Sequence, residues 1–410
     1  TSGVDIKQKI NDTAAAQSAN FSLKDLLTQE NLDSYLYPSR YNDEHEMIRY
    51  FSVVFVEENE LDGAVNWNVK SQSIKADGVV FAVIPNSVDS IEPLKDKITK
   101  SSEGCQRCFF VLPRRYSEIR EIAREFSAVS ELRTIAGDDS VLFNEYEAVY
   151  EDLREVIETF ISGFTRPEEG KSIYIYNGKE QRISRKASLT ELASDICEEV
   201  YSQTPVINNE AINKDEITSV AWHSRNKILS GLLRNELDKN LGLTGTGQEV
   251  SIMRSTLLRT NVLVNDEMNA HICLSPNNER MKGVLDMIST FISSSRNGCV
   301  SFAELYDTLI SPEHHIGLRQ GVIPIYTAAV FHEYKRDVVI LRQGNQIPLL
   351  PETFELINEN PGDYQLLCLN WDEDKEEFIR RLSEIFKEQI REAEEQGSAY
   401  EFAANAMRRW

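Results

Sequence analysis

The sequence DGVVFAVIP at residues 77–85 decides the fold, because a β-rich apolar run stopped by a proline is typical of a buried strand. A helical stretch follows it, and CFFVLP at residues 108–113 repeats the strand pattern. Two buried strands with a helix of that length between them predict a βαβ crossover. We therefore expect a mixed α/β (α+β) fold, in which a small sheet carries this βαβ unit and is packed by helices.

The carboxyl ends of such strands are where α/β sheets usually bind ligands. Arg114 and Arg115 directly follow the second strand, so they are the candidates for binding a nucleotide or another anion in the first half of the chain. The alternative is that both arginines begin the solvated face of the next helix, whose buried stripe starts at Ile119.

The composition indicates a globular protein of two or three domains, since 410 residues include 41% apolar and 27% charged residues. No apolar run approaches the roughly 20 residues that a bilayer-spanning helix needs, and no signal-peptide pattern begins the chain. We expect a cytoplasmic protein without membrane contact. The net charge of −22 disfavours non-specific nucleic-acid binding by the whole chain, although a local basic face is compatible with it.

Changes in pattern along the chain predict five segments. Asn177-Gly178, a strong hairpin signal, lies inside the first domain. The amide-rich stretch at residues 206–213 should be a loop tied down by side-chain hydrogen bonds. The expected segments are a lead-in at 1–35, an α/β domain resembling part of an ATPase core at 36–205, a helical connector at 206–278, a winged-helix-like domain at 279–372, and a C-terminal helix, expected to be truncated, at 373–410.

The winged-helix prediction rests on order, since three helical patterns precede a two-stranded hairpin. The third helical pattern, residues 318–334, is mostly apolar and contains Gly321 and Pro324. Because a groove-reading helix needs polar and basic residues, we expect this helix to be packed in a core, with Ile323, Ile325 and Val330 buried.

Four basic residues near this helix and hairpin are candidates for binding DNA or a protein partner. Arg319 is expected to begin the helix, where an external anion would compensate its charge. The others follow the helix or lie in the hairpin: Lys335, Arg336 and Arg342.

Complete catalytic and metal sites are not recognised in the sequence. The glycine-rich residues 241–247 lack the lysine that a phosphate-binding P-loop needs after its last glycine, and we interpret them as a loop that ends a helix. The pair Cys105 and Cys108 has the spacing of half a zinc site without a second pair of ligands. We interpret it as incidental, with a redox or metal role as the alternative, and predict neither catalytic residues nor a metal site.

The layout resembles the middle and C-terminal part of the large P-loop ATPases of bacterial phage-defence systems, the BREX-type ATPases (BrxC or PglY type). The matching stretches are Phe109–Leu132, Tyr150–Lys179, the residues from Thr204 to Glu210, and the residues from Gly317 to Pro324. The resemblance covers residues 75 to 410, by layout more than by diagnostic motif. The Walker A lysine of that family has no counterpart, so the chain is expected to be a downstream fragment.

The resemblance implies a parent protein that binds ATP and magnesium, works as a homo-oligomer near DNA, and contacts other defence-system proteins. Two functions follow as hypotheses. In the first, the chain is a regulatory, partner-binding segment without autonomous catalysis, which contacts other domains of the same protein. In the second, it is a non-enzymatic winged-helix module that binds DNA through Lys335, Arg336 and Arg342.

Overall fold

The computed structural model describes residues 2–137, 139–167, 170–369, 373–389 and 399–410. It shows a mixed α/β chain, as the sequence predicts, divided into two units. The first comprises Thr1–Asn42 and Arg49–Glu198, and the second comprises Asp43–Ile48 and Glu199–Trp410. Among the described residues, no helix combines the length and the apolar character needed to cross a membrane.

The first unit contains a six-stranded sheet and most of eight helices. Its strands are β1 (Tyr35–Leu36), β2 (Phe51–Glu57), β3 (Gly78–Ile84), β4 (Cys108–Pro113), β5 (Ser172–Tyr176) and β6 (Lys179–Gln181). Its helices are α1 (Ser2–Gln17), α2 (Leu23–Glu30), α3 (Ser39–His45), α4 (Trp67–Gln72), α5 (Ile91–Ser101), α6 (Ile119–Ala136), α7 (Ser140–Thr165) and α8 (Lys186–Val200), of which α3 and α8 each run a few residues into the second unit.

The sheet follows chain order, with β2, β3 and β4 parallel and the remaining neighbours antiparallel. The predicted βαβ unit is therefore present as β3, α5 and β4, paired in register from Val79 opposite Cys108. All seven residues of β3 are buried, as expected for a parallel strand covered on both faces. The predicted hairpin is also confirmed, since Asn177 and Gly178 take the left-handed backbone conformation between β5 and β6.

Aromatic side chains fill both sides of this sheet. On one side, the Trp67 ring from α4 meets the rings of Phe81 and Phe110 at centroid distances of 4.9 and 5.2 Å. Elsewhere in the sheet, Phe55 of β2 packs edge-on against Phe164 of α7 at 5.8 Å. Because successive strand residues alternate between faces, the continuous apolar runs of the sequence supply both cores.

The residues expected to be a lead-in segment fold within the first unit. Leu23 and Leu27 of α2 are buried, and Ile10 of α1 packs in a cluster with Val129 of α6 and Tyr146 of α7. These contacts give α1 and α2 a place in the core of the unit.

The second unit contains two antiparallel sheets. Strands β7 (Leu237–Asp238), β8 (Leu263–Asn265) and β9 (Asn269–Ile272) form one sheet, in the order β7-β9-β8. Strands β10 (Val300–Ser301), β11 (Val338–Arg342), β12 (Asn345–Ile347) and β13 (Tyr364–Cys368) form the other, in the order β10-β13-β11-β12. Its helices are α9 (Ser219–Leu232), α10 (Gln248–Met253), α11 (Glu279–Ser294), α12 (Phe302–Ile310), α13 (Ile323–Tyr334), α14 (Pro351–Glu359), α15 (Glu373–Ile385) and α16 (Ala399–Arg409).

The predicted order of three helices and a hairpin is present as α11, α12, α13 and β11–β12. The structure adds β13, which pairs with both β10 and β11 and turns the hairpin into a four-stranded sheet. Residues 206–278, expected to be a connector, share one continuous apolar core with residues 279–368, from Ile207 to Cys368. The amide-rich loop is tied down as expected, because Asn213 donates its side-chain amide to the carbonyl of Ile207 at 3.1 Å.

Helix α13 is buried on every side. All residues from Ile323 to Phe331 are buried, and Ile323, Ile325 and Val330 have no solvent exposure, which confirms the prediction of a core helix. The helix begins at Ile323 and not at Leu318, so its expected start was wrong. Pro324 consequently lies in the first helical turn, where its missing N–H breaks no hydrogen bond.

Candidate functional sites

The carboxyl edge of the first sheet is rich in charges that neutralise one another. Arg114, which follows β4, forms an ion pair with Glu180 at 3.1 Å, and Lys95 contacts the same carboxylate at 2.7 Å. The hydrogen bond from Lys95, aided by Arg114, holds the pKa of Glu180 below its usual value. Arg114 is therefore anchored by a carboxylate of its own unit.

Arg115 differs from Arg114 in this respect. Its side chain is exposed, and in the described part of the chain its guanidinium has no hydrogen-bond or ion-pair partner. Asn86 follows the neighbouring strand β3, and its backbone N–H donates to the carboxylate of Glu58 at 2.8 Å. The edge thus combines an unpaired arginine with an occupied backbone N–H, which is a weak arrangement for holding phosphate.

Arg319 lies ahead of α13 and is held inside the second unit. Its guanidinium pairs with Asp215 at 3.3 Å and donates to the carbonyl of Ile48, and only 11% of its side chain is exposed. Asp215 also accepts the backbone N–H of Gln320 at 3.0 Å. The expectation of an external anion is therefore corrected, because Asp215 of the chain itself compensates the charge of Arg319.

Lys335 is buried at the end of α13. Its ammonium donates to the carbonyls of Arg234 and Asn235 at 2.7 and 3.1 Å. Burial, together with the neighbouring charge of Arg336, lowers the pKa of Lys335 to about 8. Lys335 therefore fixes the turn that follows α9 and does not present its charge to solvent.

The two remaining basic candidates differ in their contacts. Arg342 pairs with Asp363 at 3.4 Å and lies 5.3 Å from the ring centre of Tyr364. Arg336 is exposed, and within the described ranges its guanidinium contacts no acceptor. Of the three residues expected to meet DNA, Arg336 is the one that presents an uncommitted cation in the described structure.

The cysteine pair is buried and is not part of a metal cluster in the described residues, where no group of three His, Cys, Asp or Glu residues could hold a metal. Hydrogen bonding from Cys108 lowers the pKa of the Cys105 thiol, and the same contact together with burial raises the pKa of Cys108. The two side chains are 3% and 0% exposed, which keeps both thiols from reagents in solvent.

A polar cleft in the second unit contains residues that the sequence reasoning did not select. It encloses about 230 Å³ between the glycine-rich loop and the helical segment after it. The loop follows the short 3₁₀ turn Lys239–Gly242 and leads into α10, whereas the helix that it was expected to end, α9, already stops at Leu232. The lining residues are Asn208, Thr246, Gly247, Val250, Ser251, Arg254, Ser255 and Arg259.

The two arginines of this cleft lie on a widened helical turn. The turn Arg254–Leu258 is π-helical, and the N–H of Arg259 donates to the carbonyl of Arg254 at 2.9 Å. In a regular α-helix, residues five apart would be separated by about 140° around the axis. A turn closed by an i→i+5 hydrogen bond brings them to the same side.

A buried tyrosine supports the widened turn. Tyr326 of α13 donates its hydroxyl to the carbonyl of Thr256 at 2.9 Å, and burial raises the pKa of this hydroxyl well above its usual value. Ser255 accepts a hydrogen bond from the side-chain amide of Asn209 at 3.0 Å. The cleft therefore has a fixed wall, held by groups far away in the sequence.

No family model matches the chain, and neither curated proteins nor solved structures provide a match. What the chain binds has to be inferred from its own residues.

Proposed function

We propose that this chain is a cytoplasmic, regulatory, partner-binding segment of a phage-defence ATPase, without catalysis of its own. The assignment to that kind of ATPase is supported by the sequence resemblance. The partner-binding role is supported by one structural observation, the exposed apolar stripe of α15. The expected partner is another domain of the same protein, in an oligomer that works near DNA.

Helix α15 has no buried residue, although its sequence is amphipathic. Phe378 is 62% and Ile385 is 70% exposed, and their spacing of seven residues places them on one face. A helix of 13 residues is marginal in water unless it packs against something. Helix α16 packs against α15, and Phe386, directly after α15, meets the ring of Trp410 at 5.8 Å, yet Phe378 and Ile385 remain exposed. The stripe is therefore available to a partner.

The charges around the stripe indicate the character of that partner. The helix carries five carboxylates and three basic residues, and both of its arginines pair with glutamates of the same helix. Because the surface left over is acidic, a basic amphipathic helix fits it best.

The test is co-purification of the 410-residue chain with the remaining domains of its parent protein. We expect Phe378→Glu combined with Ile385→Glu to abolish the association, since both changes place charge in the apolar contact. The matched control is Val220→Glu, because Val220 is also 62% exposed and lies in the second unit. Unchanged association of the double variant would contradict the proposal.

A second candidate function is a winged-helix module that binds DNA. The observation in its favour is the order of α11, α12, α13 and the β11–β12 hairpin, together with exposed Arg336. If Arg336 contacts a phosphate, Arg336→Glu should weaken DNA binding and reduce the salt dependence by about one unit of slope. If this change left DNA binding unaffected, Arg336 at the end of α13 would not be part of the DNA-binding surface.

A further inference from the structure

We propose that the cleft lined by Arg254 and Arg259 binds a phosphate dianion, either free or as the end group of a small phosphomonoester. This site is independent of the α15 stripe. The inference rests on the charge of the cleft, on the positioning of its arginines and on its size.

The arginines of the cleft differ from several ion-paired arginines of the same unit. Arg225, Arg234 and Arg319 each form an ion pair with a carboxylate of the chain. Across the described residues, the guanidiniums of Arg254 and Arg259 have no hydrogen-bond or ion-pair partner. In a protein of net charge −22, two neighbouring arginines without a carboxylate partner leave an uncompensated positive site.

The lining of the cleft favours an anion as well. None of its eight residues is acidic, and hydroxyl groups from Thr246 and Ser251 are available beside the arginines. Glu249, which follows the glycine-rich loop, is directed to Lys227 at 2.9 Å. Glu46 is bonded to the side-chain amide of Asn208 at the border of the cleft. Both of these carboxylates are thus engaged with other groups.

The widened turn fixes the backbone of Arg254 and of Arg259 on one side of the helix, so both guanidiniums extend from that side. Because each guanidinium is planar and presents several N–H donors, a pair of them suits the oxygens of a tetrahedral dianion better than a single charge would. Tyr326 holds the backbone of this turn at Thr256 and Asn209 holds the Ser255 side chain, so the turn is ordered during folding and not on binding.

The volume sets the size of the ligand. About 230 Å³ is smaller than the roughly 300–1,000 Å³ of pockets that enclose drug-sized molecules. A phosphate group with a few waters fits this space, whereas a whole nucleotide does not. The remainder of a phosphomonoester would extend into solvent.

The experiment is calorimetric titration of the full chain with inorganic phosphate and with phenyl phosphate, at constant ionic strength. The variants are Arg254→Gln, Arg259→Gln and the control Arg182→Gln, which removes the same charge from an exposed arginine outside the cleft. We expect saturable binding of one phosphate at millimolar or lower concentration, weakened at least about tenfold by each cleft variant and unchanged by the control. If phenyl phosphate bound as tightly as free phosphate, the ligand would be the terminal phosphate of a phosphomonoester.

Two further measurements keep the test decisive. Arginine side-chain NMR signals of the wild-type chain should shift for Arg254 and Arg259 when phosphate is added, and this readout is taken on the natively folded protein. Absence of saturable binding, or equal weakening by Arg182→Gln, would overturn the proposal. So would a single-stranded DNA oligonucleotide that binds through Arg254 while free phosphate does not.

Discussion

Arg225 of α9 and Glu355 of α14 form a two-point ion pair inside the second unit, with Nε of the arginine 2.8 Å from one carboxylate oxygen. Their side chains are 3% and 5% exposed. The third nitrogen of the guanidinium, Nη1, donates to the carbonyl of Gly321 at 2.7 Å. One buried charge pair thus joins two helices to the turn before α13.

Removing one member of this pair should strongly destabilise the second unit. Glu355→Gln leaves the guanidinium buried without its counter-charge, and such changes cost about 3–5 kcal/mol. Urea denaturation of the variant measures the cost. The exposed pair of Arg342 and Asp363 is the control, because Asp363→Asn should cost less than about 1 kcal/mol.

The double substitution Arg225→Met with Glu355→Leu separates charge from packing. It removes both buried charges, so it should cost less than Glu355→Gln alone. If the double variant lost as much stability as the two single variants together, the helices would depend on the shape of these side chains and not on their charges.

Gly321 should tolerate no side chain. A Cβ atom there would lie 2.0 Å from the carbonyl oxygen of Ile212 and 2.6 Å from that of Lys214, so the backbone of one segment would have to move. We expect Gly321→Ala to prevent stable folding of the second unit. Gly283 of α11 is the control, since a Cβ atom added there would meet nothing within 4 Å, and Gly283→Ala should stabilise by about 0.5–1 kcal/mol. Similar melting temperatures for the two variants would contradict the close approach at Gly321.

Ile325→Ala should cost about 2–5 kcal/mol, because the side chain is fully buried in α13 and its loss leaves a cavity. Thermal unfolding measures the effect. Leu356→Ala, at a side chain that is 44% exposed on α14, should change stability by less than about 0.5 kcal/mol. If Ile325→Ala left stability intact and removed DNA binding, α13 would be a recognition surface.

Glu60 should make the first unit sensitive to acid. Burial alone would raise the pKa of Glu60, but hydrogen bonds from Lys24, the Glu57 backbone N–H and Lys70 outweigh it and hold the pKa at about 2, against 4.5 for the free group. Its stabilising contribution is therefore complete above pH 4.5 and is lost as the pH falls toward 2.

Glu60→Gln tests this contribution. The variant should be less stable at pH 7 by on the order of 1 kcal/mol, since the lysines are about one third exposed and solvent screens them. The difference from the wild type, measured by urea denaturation, should shrink at about pH 3.5, between the two pKa values. If the stability difference between the variant and the wild type did not change with pH, the hydrogen bonds of Glu60 would stabilise the unit independently of its charge.

Local patterns in the sequence predicted the elements that local chemistry determines. The buried strands at β3 and β4, the Asn177-Gly178 hairpin and the burial of Ile325 follow from apolar runs and from turn residues. The pairing of β13 between β10 and β11 could not be predicted, because strand pairing depends on residues far apart in the chain.

The candidate sites show the same limit. The partner of Arg319 is Asp215, over 100 residues away, and the arginines of the cleft share a side only because the turn is widened. A spacing of five residues fits neither helical nor strand periodicity, so Arg254 and Arg259 gave no signal. A search for arginines beside glycine-rich loops would have found them.

The strand order of the four-stranded sheet has a consequence for synthesis. Strand β13 is made last and lies between β10 and β11, which are made earlier. As the chain leaves the ribosome, β10 and β11 each keep an unpaired edge until β13 has emerged as far as Cys368. We therefore expect this unit to fold only after its last strand is released, and nascent chains stalled before that point to depend on chaperones.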